Sequence, residues 1–76
     1  MRIYSEIEGR LIAEMYYLHR PEIGDAFLNA GFRIIGRKLL IYPSATRKRA
    51  RMLSAEALVR EAALSSGLPV DEVQII

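Results

Sequence analysis

Cysteine is absent from this 76-residue sequence, and so is any long uninterrupted run of apolar residues. The absence of cysteine excludes disulfides, thiolate metal sites and cysteine nucleophiles, and it is typical of proteins of the reducing cytoplasm. The absence of a long apolar run argues against a signal peptide or a membrane-spanning helix. We therefore expect a cytoplasmic protein with no membrane contact.

Catalytic and cofactor-binding motifs are also missing. None of the five glycines stands in a GxGxxG pattern or a P-loop, and no serine stands in a GxSxG elbow. His19 is the only histidine, and Pro21 interrupts the helical spacing that would bring it beside Glu22 or Asp25. We expect this histidine to lie at a helix end. The sequence predicts a protein that is not an enzyme, with no catalytic residue, cofactor, metal or small-molecule substrate.

The length of the chain allows one domain, residues 1–76, because two hydrophobic cores cannot be built from so few residues. Hydrophobic residues make up 51% of the sequence, which is enough for a packed core and argues against disorder. A core of this size supplies only about 3–5 kcal/mol of stability. A second subunit would add to it, so we expect a homo-oligomer, with a homodimer as its simplest form.

Apolar residues near the start of the chain recur at the helical period. They are Ile3, Ile7, Leu11, Met15 and Leu18. For residues 2–18 the alternative to a helix is a hairpin that turns at Gly9, because glycine is costly inside a helix and common in tight turns. Three acidic residues fall on the side expected to face solvent, namely Glu6, Glu8 and Glu14. A second helix is predicted for residues 21–30, begun by Pro21 and ended by Gly31.

Residues 32–42 are rich in β-branched and aromatic side chains. Gly36 and Arg37 stand where a type II′ turn with glycine first would lie, so we predict a hairpin or one long bent strand. Residues 47–53 fit two alternatives, a strand or the beginning of a helix, and the sequence does not separate them.

The last third of the chain carries clear helix signals. Ser54 is a suitable N-cap for a helix over residues 55–66, Gly67 would end it, and residues 70–76 would form a terminal strand. The expected fold class is α+β, with two or three helices packed on a small, mostly antiparallel sheet.

Acidic residues are absent from the middle of the chain. The net charge of +2 hides an uneven distribution, because residues 26–55 contain seven basic side chains and no Asp or Glu. Residues 1–25 carry five acids against three arginines, and residues 56–76 carry four acids against one arginine. The middle segment therefore has a charge of +7 between two acidic flanks.

This basic segment predicts binding to a nucleic acid, either DNA or RNA, because clustered cations release counterions from a phosphate backbone. Arginine suits bidentate contacts to phosphate, and an aromatic ring inside the segment could stack on an unpaired base. The predicted site consists of Arg33, Arg37, Lys38, Tyr42, Arg47, Lys48, Arg49 and Arg51. The alternative is a protein-interaction or self-assembly module in which this segment meets the acidic flanks of another copy or an acidic protein surface.

Overall fold

A computed structural model describes residues 4–76, which form four helices, one 3₁₀ turn and three strands. The elements are α1 (Glu6–Tyr17), α2 (Pro21–Gly24), the 3₁₀ turn (Asp25–Phe27), β1 (Gly31–Ile35), β2 (Lys38–Tyr42), α3 (Thr46–Ser54), α4 (Glu56–Ser65) and β3 (Glu72–Ile75). The strand order is β1-β2-β3, with β1 antiparallel and β3 parallel to the central strand. The fold is α+β, as predicted, but the sheet is mixed. No helix of the described residues is long and apolar enough to cross a membrane.

The first segment is a helix, not a hairpin. Ser5 caps it by accepting a hydrogen bond from the backbone N–H of Glu8 (3.1 Å), and Leu11 and Met15 bury the predicted apolar face. Gly9 lies inside this helix. The prediction for Ile3 falls outside the described residues.

The solvent-facing role predicted for Glu8 is wrong. Its side chain is buried, and one carboxylate oxygen accepts a hydrogen bond from the backbone N–H of Asn29 (3.0 Å). Asn29 has a positive φ of 65°, in the left-handed region. The carboxylate thus links the first turn of α1 to the turn that precedes β1.

The helix predicted for residues 21–30 is shorter than expected. Pro21 occupies its first turn as predicted, but α2 ends at Gly24 and is followed by the 3₁₀ turn. Gly31 does not end a helix, because it is the first residue of β1. Its backbone lies against Tyr42, whose Cβ would be 3.5 Å from a Cβ added at this glycine.

The predicted hairpin is confirmed. Strand pairing closes with Ile35 opposite Lys38, which leaves a two-residue loop. Gly36 has a φ of +61° and Arg37 has no positive φ, the pattern expected of a type II′ turn. The alternative of a single bent strand is thereby excluded.

Residues 47–53 are helical, which decides between the two alternatives. Met52 is fully buried in the core, whereas Ala50 is exposed. Ser54 is the last residue of α3 and does not cap α4, because its hydroxyl donates to the carbonyl of Arg51 (2.8 Å). Ala55 takes the N-cap position of α4, which otherwise covers almost the predicted range.

All of the helices pack on one face of the sheet. Alternate strand residues point into the core on this inner face: Phe32, Ile34, Leu39, Ile41, Val73 and Ile75. The intervening residues form an outer face that no described helix covers: Gly31, Arg33, Ile35, Lys38, Leu40, Tyr42, Glu72 and Gln74. The molecule therefore presents one bare sheet surface.

Candidate nucleic-acid interface

The hairpin separates the seven basic residues of the predicted site into groups. Arg37 and Lys38 lie at its turn, whereas the four cations of α3 follow its opposite end after Tyr42. A five-residue strand is roughly 13 Å long between its end residues, so the two groups do not form one patch. Arg33 lies between them, in the middle of β1.

The group at the turn is close to acidic residues. The Nε of Arg37 lies 2.9 Å from Oδ2 of Asp71, in an ion pair that is largely exposed. Lys38 is opposite Glu72 in the parallel register of β2 and β3. This end of the sheet thus combines positive and negative charge and offers little net attraction for an anion.

The α3 cations, defined as Arg47, Lys48, Arg49 and Arg51, have a different environment. None of them forms an ion pair with an Asp or Glu side chain among residues 4–76, although Glu22 and Asp25 lie on the neighbouring segment. Four positive charges in one nine-residue helix therefore remain without an acidic side chain as partner in the described part of the chain.

Three of the α3 cations donate hydrogen bonds to backbone carbonyls. Lys48 Nζ donates to the carbonyl of Leu28 (2.9 Å), and Arg49 Nε donates to the main-chain oxygen of Ile76 (2.7 Å). Arg51 makes a longer contact to the carbonyl of Glu22 (3.4 Å). These bonds fix the side chains but leave most of their N–H donors available, because an ammonium has three and a guanidinium has five. Arg47 has no such bond among the described residues.

The beginning of α3 has an unusual charge arrangement. A helix N-terminus carries a partial positive charge that normally attracts acidic side chains, yet Arg47, Lys48 and Arg49 stand in this first turn with no acid. The N-cap residue, Ala45, has no side chain to accept a hydrogen bond from the exposed amides. No acidic side chain of this turn offsets the positive potential, so a bound anion would lower it.

Tyr42 lies on the outer face of the sheet, at the end of β2 that leads to α3. It is opposite Gly31, two of its ring carbons lie 3.9 and 4.0 Å from the position of a Cβ on that glycine, and 39% of the residue is exposed. An open recess of about 350 Å³ adjoins it. The recess is lined by Tyr42, Pro43, Ser44, Ala45, Thr46, Arg49 and Ile76.

Sequence reasoning missed two residues that shape this region. Gly31 lies opposite Tyr42 in the strand pairing, and Ile76 contributes both a recess wall and the acceptor for Arg49. A glycine immediately before a β-branched and aromatic run was the only available signal for the first. Nothing in the sequence indicated the second, because the contact joins residues 27 positions apart.

Other candidate chemistry does not converge on a site. Among the described residues, no group of three His, Asp or Glu side chains could hold a metal ion. His19 has a positive φ of 60° just after α1, consistent with a residue at a helix end. Comparison of the chain with protein-family models, curated proteins and solved structures finds no match.

Proposed function

We propose that this protein is a non-enzymatic, cytoplasmic nucleic-acid-binding protein whose α3 cations contact the phosphate backbone. The observation that carries the proposal is that these four cations form no ion pair with a described Asp or Glu side chain. Solvent-exposed charges of one sign repel one another, so their concentration in one helix is unfavourable unless an anion occupies the surface. A polyanion supplies several such groups at once.

The α3 cations are suited to phosphate for a second reason. The carbonyl bonds of Lys48 and Arg49 hold these side chains in place, which reduces the entropy lost when they bind a ligand. Their remaining donors, together with those of Arg47, could contact neighbouring phosphates. Contacts of this kind depend on the backbone and not on base identity, so we expect weak sequence preference.

Arg47 provides the sharpest test, because its side chain has no hydrogen bond or ion pair among the described residues and can be changed without loss of a structural contact. We expect Arg47→Gln to weaken binding of oligonucleotides by a similar factor for different sequences and to reduce the magnitude of the log–log salt slope by about 1. Fluorescence anisotropy of labelled oligonucleotides at several salt concentrations measures both quantities.

Arg60→Gln is the matched control. It removes the same charge from α4, where Arg60 is exposed and pairs with Glu56 (3.6 Å). The control should keep wild-type affinity apart from a small long-range effect. Equal losses in the two variants would show attraction to net charge alone, and unchanged binding by Arg47→Gln would contradict the proposal.

The alternative function is a protein-interaction or self-assembly module. The observation in its favour is the separation of charge, with the α3 cations at one end of the sheet and Asp71 and Glu72 at the other. Charge-driven assembly predicts an oligomer whose size by light scattering decreases at high salt without added nucleic acid. A size that does not change with salt would count against it.

A further inference from the structure

The outer face of the sheet has features that favour one kind of nucleic acid. Tyr42 stands on the central strand opposite Gly31, which has no side chain to cover it. The residue is 39% exposed, so part of its ring is accessible. Since all four bases have a π-face, such a ring can stack on an unpaired base of any sequence.

Arginines flank this ring on both sides. Arg33 lies on β1, opposite Leu40 and diagonal to Tyr42, and it is exposed with no partner among the described residues. Arg49 lies on the β3 side, because its guanidinium is bonded to the carbonyl of Ile76. A chain that places a base on the ring would bring its flanking phosphates towards these two groups.

The acidic side chains at the start of β3 lie away from this path. Asp71 and Glu72 lie at the far end of β3, about 13 Å from Ile76 by strand length. The positive charge and the aromatic ring are thus at the same end of the sheet. This combination suits a ligand that has both phosphates and accessible bases, and it does not suit an apolar partner.

We infer that the ligand is a single-stranded nucleic acid, which crosses the outer face of the sheet from β1 to β3 with one base stacked on Tyr42. This inference rests on the proposed function and specifies its ligand. A duplex cannot make the same contact, because its bases are already stacked and face inward. The recess beside Tyr42 offers space for the next nucleotide on the side of α3.

The experiment compares a 12-nucleotide oligo-dT or oligo-U with a duplex of equal length by fluorescence anisotropy at low salt. We expect tighter binding of the single strands. Tyr42→Leu should weaken their binding about tenfold or more, from the loss of one stacked base, while duplex binding stays unchanged. Tyr42→Phe keeps the ring and should remain within about twofold of wild type.

Two further variants keep the test decisive. Tyr17→Leu removes an aromatic that is 77% exposed on α1, away from the sheet, and should bind like wild type. Arg33→Gln removes an exposed charge with no described partner, so it should fold normally, and it should lower single-strand affinity and reduce the magnitude of the salt slope by roughly 0.7. Circular dichroism and thermal melting check the fold of each variant.

The outcomes separate this inference from the proposed function. Binding that depends on Arg47 but is equal for duplex and single strand, or is unaffected by Tyr42→Leu and Arg33→Gln in folded protein, would overturn the inference alone. No measurable binding of either oligonucleotide at low salt would overturn both. Loss of self-association in the Tyr42→Leu variant, without nucleic-acid binding, would instead identify the sheet face as a protein interface.

Discussion

Residues of the same type have different roles in this protein, and the difference depends on their contacts. Arg47 and Arg33 have no partner among the described residues, whereas Arg37 pairs with Asp71 and Arg49 bonds to a backbone carbonyl. The sequence assigns all of them to one site because composition alone records only their charge. In the structure, two of these arginines have side chains that are available to bind a ligand, the third is neutralised by its ion pair, and the fourth is held in place by its hydrogen bond.

Glu8 shows the same point for acidic residues. Its position on α1 predicts a solvent-facing carboxylate, but the turn before β1 packs against it and supplies the amide of Asn29. A contact between residues 21 positions apart cannot be read from helical periodicity. The burial of this carboxylate therefore could not be predicted from the sequence.

Replacement of Glu8 by alanine should destabilise the protein. The change leaves the N–H of Asn29 without its carboxylate acceptor in a partly buried site, at a cost of about 1–3 kcal/mol in the free energy of unfolding. Urea denaturation followed by circular dichroism measures this quantity. Glu61→Ala, at an exposed position of α4, is the control and should change it by less than about 0.5 kcal/mol. Equal stability of both variants would show that the Glu8 contact has no structural role.

At the scale of elements, local signals predict those structures that local interactions determine. The hairpin follows from a glycine at the first turn position between two β-rich runs. The end of α4 follows from Gly67, which has a positive φ of 81°, whereas the N-cap predicted at Ser54 was wrong. Residues 47–53 are different, because Met52 would be buried by either a strand or a helix. The packing of α3 against the 3₁₀ turn and β3 decides for the helix, and these contacts are distant in sequence.

The charge arrangement of α3 predicts opposite effects of one substitution at its two ends. Arg47→Glu places a negative charge at the positive end of the helix dipole and should stabilise the protein by about 0.3–1 kcal/mol, while it weakens nucleic-acid binding. Arg51→Glu places the same charge near the negative end and removes the bond to the Glu22 carbonyl, so it should destabilise.

Urea denaturation at low salt tests this pair, since added salt screens the effect. Both variants have the same net charge, so a general change in repulsion would shift them together. Stabilisation by Arg47→Glu with reduced binding would indicate that the first turn of α3 gives up stability for ligand contact. Destabilisation by Arg47→Glu would contradict this description of the helix end.

At the scale of the whole molecule, the uneven distribution of charge along the sequence becomes a separation of charge between the two ends of the sheet. A 30-residue segment without acids is visible in the sequence and contains every residue of the predicted site. The hairpin then carries Arg37 and Lys38 to the acidic start of β3, which leaves the α3 cations and Tyr42 at the other end, with Arg33 between the two. The residues of the candidate site could be predicted from the sequence. Their separation between the two ends of the sheet could not, because it depends on the strand register.

A titration of isotope-labelled protein with a 12-nucleotide oligo-dT, followed through backbone amide chemical shifts, tests the central claim most directly. We predict that the largest shifts occur at the first turn of α3, at Arg33 and at Tyr42, and that residues of α1 such as Tyr17 change little. Shifts concentrated on α1 or α4, or no shift at millimolar oligonucleotide and low salt, would contradict the assignment of this surface to nucleic acid.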